Sequence, residues 1–434
     1  MHRIVIVGGG AGGLELATRL GDQFGKKANA SITLIDRSRT HLWKPLLHEV
    51  AAGSMDIHAH QLDYLAQARW HHFIFSLGAM QALDRAAREV VVGAVHDETG
   101  EMILPERRIP YDTLVIAIGS QCNDFGTPGV ADHAFTLDGA WEANLLHRRL
   151  VNACFRTNFA NDGRVIRIGI IGAGATGVEL AAELHNTIRV LTGYGLVNFD
   201  PEHQIKVSVI EAGPRILAGL PEYMAEATHD ILTGLEIDVL CNEKVVAVTP
   251  ATIETASGKS LLSDFSIWAA GIKCAEVLKD LAGLESNRIN QLVVLPTLQT
   301  TSDENIFALG DCAACVWKQE GDAVRMVPPR AQSAHQQSSH LVKTVKRRMH
   351  GQAALEFHYR DFGSLVSLGK YTSVGTLMGF AARGSVRVEG LMAKLFYMSL
   401  YKLHLWALHG FWRMALDTLA RIIRRQTEPR VKLH

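Results

Sequence analysis

Two stretches of the chain share one pattern of apolar and polar positions. The first is an apolar run, Ile4-Val5-Ile6-Val7, then Gly8-Gly9-Gly10-Ala11-Gly12-Gly13, then Leu14, Leu16, Ala17 and Leu20 at helical spacing. The second is Ile168-Gly169-Ile170-Ile171, then Gly172-Ala173-Gly174-Ala175-Thr176-Gly177, then Val178, Leu180, Ala181 and Leu184. Each reads as a short buried strand, a tight turn and an amphipathic helix. Two further apolar runs, Ile32-Thr33-Leu34-Ile35 before Asp36 and Val207-Ser208-Val209-Ile210 before Glu211, predict a second strand for each unit. Between the units, 141–159 predicts a connecting helix. The pattern implies an α/β fold with two Rossmann-like domains.

The glycine spacing G-x-G-x-x-G has a physical reason. The first glycine permits the tight turn, the second lets backbone approach a pyrophosphate, and the third lets helix and strand pack closely. A dinucleotide diphosphate then rests on the positive end of the helix. Gly8, Gly10 and Gly13 therefore mark one dinucleotide site, and Gly172, Gly174 and Gly177 a second. Asp36 and Glu211 end the second strands, where a carboxylate bonds ribose hydroxyls and repels a 2′-phosphate. The stretch before Glu211 is longer than usual and holds Gly193-Tyr194-Gly195 and Asp200-Pro201, which predicts an extended helix and loop.

Bulk properties narrow the class. At 434 residues, 47% apolar and 20% charged, the chain suits two or three folded domains. Net charge is zero, yet residues 383–434 hold ten Lys/Arg against three Asp/Glu, which makes the tail basic. Six cysteines (Cys122, Cys154, Cys241, Cys274, Cys312 and Cys315) lack a disulfide-framework spacing and suit a reducing compartment. With only Met1-His2-Arg3 ahead of the first strand, no targeting peptide is expected. No metal site is expected either.

Other segments resemble the signatures of two-dinucleotide-binding-domain flavoproteins. They are Tyr111-Asp112-Thr113-Leu114-Val115-Ile116-Ala117-Ile118-Gly119-Ser120, Phe265-Ser266-Ile267-Trp268-Ala269-Ala270-Gly271 and Thr301-Ser302-Asp303-Glu304-Asn305-Ile306-Phe307-Ala308-Leu309-Gly310-Asp311. The resemblance implies FAD at the first fingerprint, with Gly119, Gly310, Asp311 and Ala331 beside it. It implies NADH at the second, with Glu211 and Gly271. Val327-Pro328-Pro329-Arg330-Ala331-Gln332-Ser333-Ala334-His335-Gln336-Gln337 and His41-Leu42-Trp43-Lys44-Pro45-Leu46-Leu47-His48-Glu49-Val50-Ala51-Ala52-Gly53 are similar to the bacterial type II NADH:quinone oxidoreductases, as is Glu285-Ser286-Asn287-Arg288-Ile289-Asn290-Gln291-Leu292-Val293-Val294. That similarity runs to Val431-Lys432-Leu433-His434. It implies a respiratory NADH dehydrogenase that passes hydride to FAD and two electrons to a membrane quinone without pumping protons.

The residues agree with that reading in several places. Pro328 and Pro329 suit the entry to a helix near Arg330, whose positive end would stabilise a reduced flavin. Gln332 and Gln336 share a helical face and would line a quinone slot; the alternative is a surface helix with solvated amides. Glu179 takes the family's position for proton or charge handling, although any helix favours an acid in its first turn. Cys312-Ala313-Ala314-Cys315 reads as buried structural cysteines, with thiol chemistry the alternative.

The tail carries Leu395–Tyr401 and Leu403–Trp412 about a single Lys402, too short and interrupted for a span. In the next segment Leu416, Leu419, Ala420 and Ile423 share a face opposite Asp417, Arg421, Arg424 and Arg425. A basic amphipathic helix with aromatic anchors predicts monotopic attachment to the cytoplasmic face of the inner membrane; a core or dimerisation helix pair is the alternative. The expected domains are FAD-binding at 1–125 and 291–375, a connector at 126–159, an inserted NADH-binding domain at 160–290 and a membrane module at 376–434. Rival functions are a sulfide:quinone oxidoreductase, a flavin-dependent disulfide reductase and, from another class, a redox-sensing flavoprotein module.

Overall fold

The structure is a computed structural model that describes residues 1–194, 196, 198–320, 323–378, 385–424 and 431. Gly195, Arg425 and residues 432–434, singled out above, lie outside the described residues, as does the side chain of Arg424. The chain divides into two compact units. One comprises Met1–Trp43, Gln61–Gln121 and Ile272–Arg360; the other comprises Lys44–His60, Cys122–Gly271 and Asp361–His434.

The first unit is built on a six-stranded sheet in the order Gln299–Thr300, Asp303–Ala308, Thr113–Ile116, His2–Val7, Ala30–Asp36, Ile74–Leu77. All neighbours are parallel except the outermost pair of Gln299–Thr300 and Asp303–Ala308. Such strands are buried on both faces, so they read as unbroken apolar runs rather than alternating ones. Ile4, Ile6, Leu34, Ile35, Leu114, Ile116 and Phe307 form that core. The fingerprint helix spans Ala11–Leu20 and packs on the helix Ala331–Met349, which starts directly after Arg330.

The second unit repeats the arrangement. Its five parallel strands run Ala134–Thr136, Phe265–Trp268, Ile166–Ile171, Ile205–Ile210, Asp238–Leu240. In both units the fingerprint strand lies between the strand that follows its helix and one that returns later in the chain. The chain thus changes direction at that strand's C-terminal end, where open α/β sheets bind ligands. The fingerprint helix here is longer, Ala175–Thr192, and a short helix capped by the Asp200 side chain follows at Pro201–Gln204. The expected connector is the helix Ala140–Ala160.

The same unit holds a three-stranded antiparallel sheet, Gly363–Ser367, Ser373–Met378 and Ser385–Glu389, and two tail helices, Gly390–His409 and Phe411–Arg424. Gly410, at φ +76°, breaks the chain between them. Among the described residues, no helix is long and apolar enough to cross a membrane.

Candidate functional sites at the two glycine turns

In the first unit, Gly8 has φ +103°, and a Cβ there would sit 2.6 Å from the carbonyl carbon of Ala117. A Cβ on Gly13 would collide with the Gly8 carbonyl. Gly10, the N-cap of the helix, has nothing within 4 Å of such an atom. The second unit reproduces this pattern. Gly172 also has φ +103°, with the Ala270 backbone 2.7 Å from a would-be Cβ. Gly177 abuts the Gly172 carbonyl, and Gly174 faces open space. The outer glycines are therefore steric requirements, whereas the middle one leaves a cradle clear above a helix N-terminus. Both cradles fit a dinucleotide diphosphate.

The carboxylates at the strand ends brace these turns. Asp36 accepts from the N–H groups of Gly9 (2.6 Å) and Ser38 (2.7 Å). Burial pushes its carboxyl above the usual range, and the Ser38 and Gly9 bonds oppose that. Glu211 accepts from Ala173 (2.9 Å) and Gly213 (2.8 Å). Each carboxylate retains lone pairs for ribose hydroxyls. Gly9 is fixed further, since its carbonyl accepts from the Tyr64 hydroxyl (2.7 Å) and lies 2.9 Å from Nδ1 of His41.

The return strand of the first unit delivers Gly310 and Asp311 to the end of the sheet. Asp311 accepts from the Ser120 hydroxyl (2.7 Å), next to Gly119 at φ +73°. The Gly310 N–H donates to Oε1 of Gln337 (2.7 Å), in the second turn of the helix that Ala331 opens. Gln336 has its whole amide engaged: Nε2 donates to the Arg360 carbonyl (2.8 Å) and Oε1 accepts from the Arg360 N–H (3.0 Å). Gln332, half-buried, shares its helical face. In the second unit Gly271 has φ +63° and would meet Phe125 if it carried a side chain. Cys312 and Cys315 are free and buried, and burial pushes both thiols up to about 11, which favours a structural role.

Glu179 lies in the first turns of the second fingerprint helix but is only 7% exposed. One oxygen accepts from the Ser367 N–H (2.9 Å), and the other is 3.6 Å from Nδ1 of the buried His48. Burial pushes this carboxyl up to about 8, with the charge of Glu49 acting in the same direction. Burial drives His48 down to about 4. Sequence reasoning missed His48, Ser120 and Gln337 as site residues. Gln337 stood inside a recognised motif, but His48 joins Glu179 only through the tertiary fold.

Comparison with known proteins gives these features a family. The profile of the pyridine nucleotide-disulphide oxidoreductases matches residues 2–338. A type II NADH:quinone oxidoreductase of Haemophilus influenzae is 41% identical over 450 residues, covering 100% of both chains. Among solved structures, NDH2 from Plasmodium falciparum in complex with NADH superposes with a TM-score of 0.81 at 18% identity, covering 99% of this chain and 100% of its own. The sulfide:quinone oxidoreductase of Aquifex aeolicus has the same fold, with a TM-score of 0.73 at 18% identity over 94% of this chain and 91% of its own. Full-length identity and the paired glycine cradles thus converge, and the chain belongs to the pyridine nucleotide-disulphide oxidoreductases and, within them, to the type II NADH:quinone oxidoreductases.

Proposed function

We propose that the protein oxidises NADH and delivers two electrons to a membrane quinone without proton pumping. The observation that carries this is the duplicated cradle, open at Gly10 and Gly174 and closed at its flanks, in a chain 41% identical throughout to a type II NADH:quinone oxidoreductase. Gly8, Gly10, Gly13, Asp36, Gly119, Gly310, Asp311 and Ala331 would hold FAD; Gly172, Gly174, Gly177, Glu211 and Gly271 would hold NADH. When bound, FAD supplies the two-electron carrier between nicotinamide and quinone. Asp36 and Glu211 select unphosphorylated ribose, because either carboxylate would repel a 2′-phosphate. Gln332 and Gln336 serve the quinone side. Gln336 does so by tying down residue 360, since its amide is already paired. Sulfide oxidation is disfavoured, because the paired thiols are buried and protonated at neutral pH.

The reading includes attachment to the cytoplasmic face of the inner membrane. The tail helix Phe411–Arg424 turns its polar side inward: Arg421 pairs with Asp417 (2.7 Å) and reaches the Ala59 carbonyl (3.3 Å). Its apolar side points outward, with Trp412 78% exposed and Leu416, Leu419, Ile422 and Ile423 exposed beside it. An apolar patch of this kind marks an interaction surface. Trp412→Glu with Leu416→Glu is expected to abolish co-sedimentation with vesicles containing anionic lipid. Unchanged sedimentation would remove this surface from the reading and leave the homodimer alternative.

The activity is tested anaerobically in detergent. NADH should bleach the flavin absorbance, and a short-chain quinone should restore it; NADPH should bleach it far more slowly. Bleaching that only sulfur compounds reverse would overturn the quinone assignment.

A further inference from the structure

In each cradle the residue after the first fingerprint glycine, Gly9 in one and Ala173 in the other, has both backbone groups bonded. Its N–H donates to the carboxylate that ends the second strand. Its carbonyl is held as well, but by different means in the two units. The Gly9 carbonyl accepts from the hydroxyl of Tyr64, which opens the helix Tyr64–Trp70, and lies beside the His41 ring; both side chains are buried. The Ala173 carbonyl accepts from a backbone N–H, that of Leu217 (2.8 Å).

Peptide planarity explains why this carbonyl has to be held. The C=O and N–H of one trans peptide unit point in opposite directions. Holding the Ala173 carbonyl therefore fixes the direction of the Gly174 N–H, at the start of the fingerprint helix. A carbonyl free to swing into the cradle would set a negative dipole where an anion binds.

Leu217 does not present its N–H by local preference. It lies in the loop between Glu211 and the helix Glu222–Gly234, at φ +49°, a conformation uncommon for leucine. Such a conformation persists where the surroundings over-determine it. Arg215 does so here: its guanidinium donates to the carbonyls of Leu217 (3.3 Å), Ala218 (3.0 Å) and Leu220 (3.0 Å). A charged donor makes the stronger kind of hydrogen bond, and the rigid fork of arginine spans several acceptors at once. Glu211 stands four residues earlier, yet its carboxylate is bonded by Ala173 and Gly213 and not by Arg215.

We infer that Arg215 is a positioning residue of the second cradle: it pins the 217–220 carbonyls, and thereby sets the Leu217 N–H against the Ala173 carbonyl and keeps the turn in its anion-binding shape. This rests on the function proposed above, in which that cradle takes NADH. Tyr64 and His41 do the same for the first cradle with buried side chains, which suits a resident cofactor. The second cradle, whose dinucleotide leaves at every turnover, relies on one loop and one side chain.

The test uses the flavin-loaded full chain and ADP-ribose, which carries the diphosphate and no nicotinamide. Hydrogen exchange reads the loop directly. The Leu217 amide should be protected in the wild type, and Arg215→Met should release it while the strand Ile166–Ile171 stays protected. The Kd for ADP-ribose should rise at least about fivefold in Arg215→Met, because binding must then restore one hydrogen bond and order the loop. The KM for NADH should rise with it, with kcat and flavin content unchanged. Arg215→Lys keeps the charge without the fork and should fall between the two. An unprotected Leu217 amide in the wild type, readable without any substitution, overturns the proposal. So does an unchanged ADP-ribose affinity in Arg215→Met, or full recovery in Arg215→Lys, which would assign the effect to charge alone. If the wild type binds no ADP-ribose, the NADH reading of the cradle falls and the proposal with it. If exchange and binding behave as expected but no quinone is reduced, the role of Arg215 stands and the acceptor assignment alone falls.

Discussion

The two fingerprint units differ least where backbone geometry rules and most where charge does. Their turns match to within a tenth of an ångström in several bonds: Gly8 donates to Ile35 and Gly172 to Ile210, both at 2.8 Å. Leu14 donates to Gly10 (3.0 Å) and Val178 to Gly174 (3.1 Å). On the helix that follows, the buried Glu15 meets Arg19 and His335, whereas the buried Glu179 meets His48 and Ser367. Holding a diphosphate needs a fixed backbone shape, so the turn is repeated. The helix flank is free to specialise, and one unit uses it for an ion pair, the other for a neutral acid.

The largest expected effects come from filling the cradles. Gly10→Val and Gly174→Val should both fold, because open space surrounds each position. Gly10→Val should lose flavin on purification. Gly174→Val should keep its flavin but lower the efficiency of NADH-driven bleaching about a hundredfold, the scale of a displaced substrate. Equal flavin loss in both would show that the two cradles are not specialised for different dinucleotides.

Next comes Arg19→Glu, which gives the first helix the acid found at the same place in the second. With Glu15 fully buried, stability should drop by about 3 kcal/mol in denaturant melts, toward the lower end for a broken buried pair because Arg19 is partly exposed. A change near zero would show that His335 alone suffices for Glu15.

Glu179→Gln should act through pH. A carboxyl raised to about 8 in the folded protein contributes stability that is full below its ordinary range and lost as pH rises through 8. His48, lowered to about 4, works the other way and loses its contribution as pH falls. The two offset one another in mild acid, leaving Glu179 to act alone above neutrality. There the wild type should lose about 1.4 kcal/mol per pH unit on approaching pH 8, and Glu179→Gln should not. Parallel curves for the two proteins would mean that Glu179 is ionised throughout.

The smallest effect belongs to His335→Asn. Glu15 raises the His335 pKa, so its contribution is present in acid and fades as pH rises through that value. The ring is half exposed, which limits the loss to below about 1 kcal/mol, measured in acid and again in alkali. An equal loss at both ends would point to packing in place of charge.

What could be read from the chain followed from how local each feature is. The glycine turns, the strands ending at Asp36 and Glu211, and the helix after Pro328 and Pro329 are set within a few residues, so spacing and φ preference reveal them. The tail was legible as an apolar stripe opposite polar residues, because helical periodicity is local too. That Asp417 and Arg421 turn inward was not, since it depends on Ala59 and Lys402 arriving from elsewhere. Gln336 read as a free amide because its partner, Arg360, lies beyond the helix that carries it.

By itself the sequence determined two dinucleotide turns, the carboxylates that end their second strands and an amphipathic tail, each enforced by sterics or charge over a short span. Only the tertiary structure decided the protonation of Glu179. Ionisation of a buried acid depends on the sum of desolvation and neighbouring charge, and His48, Glu49, Ser367 and Tyr397 reach it from three separate parts of the chain.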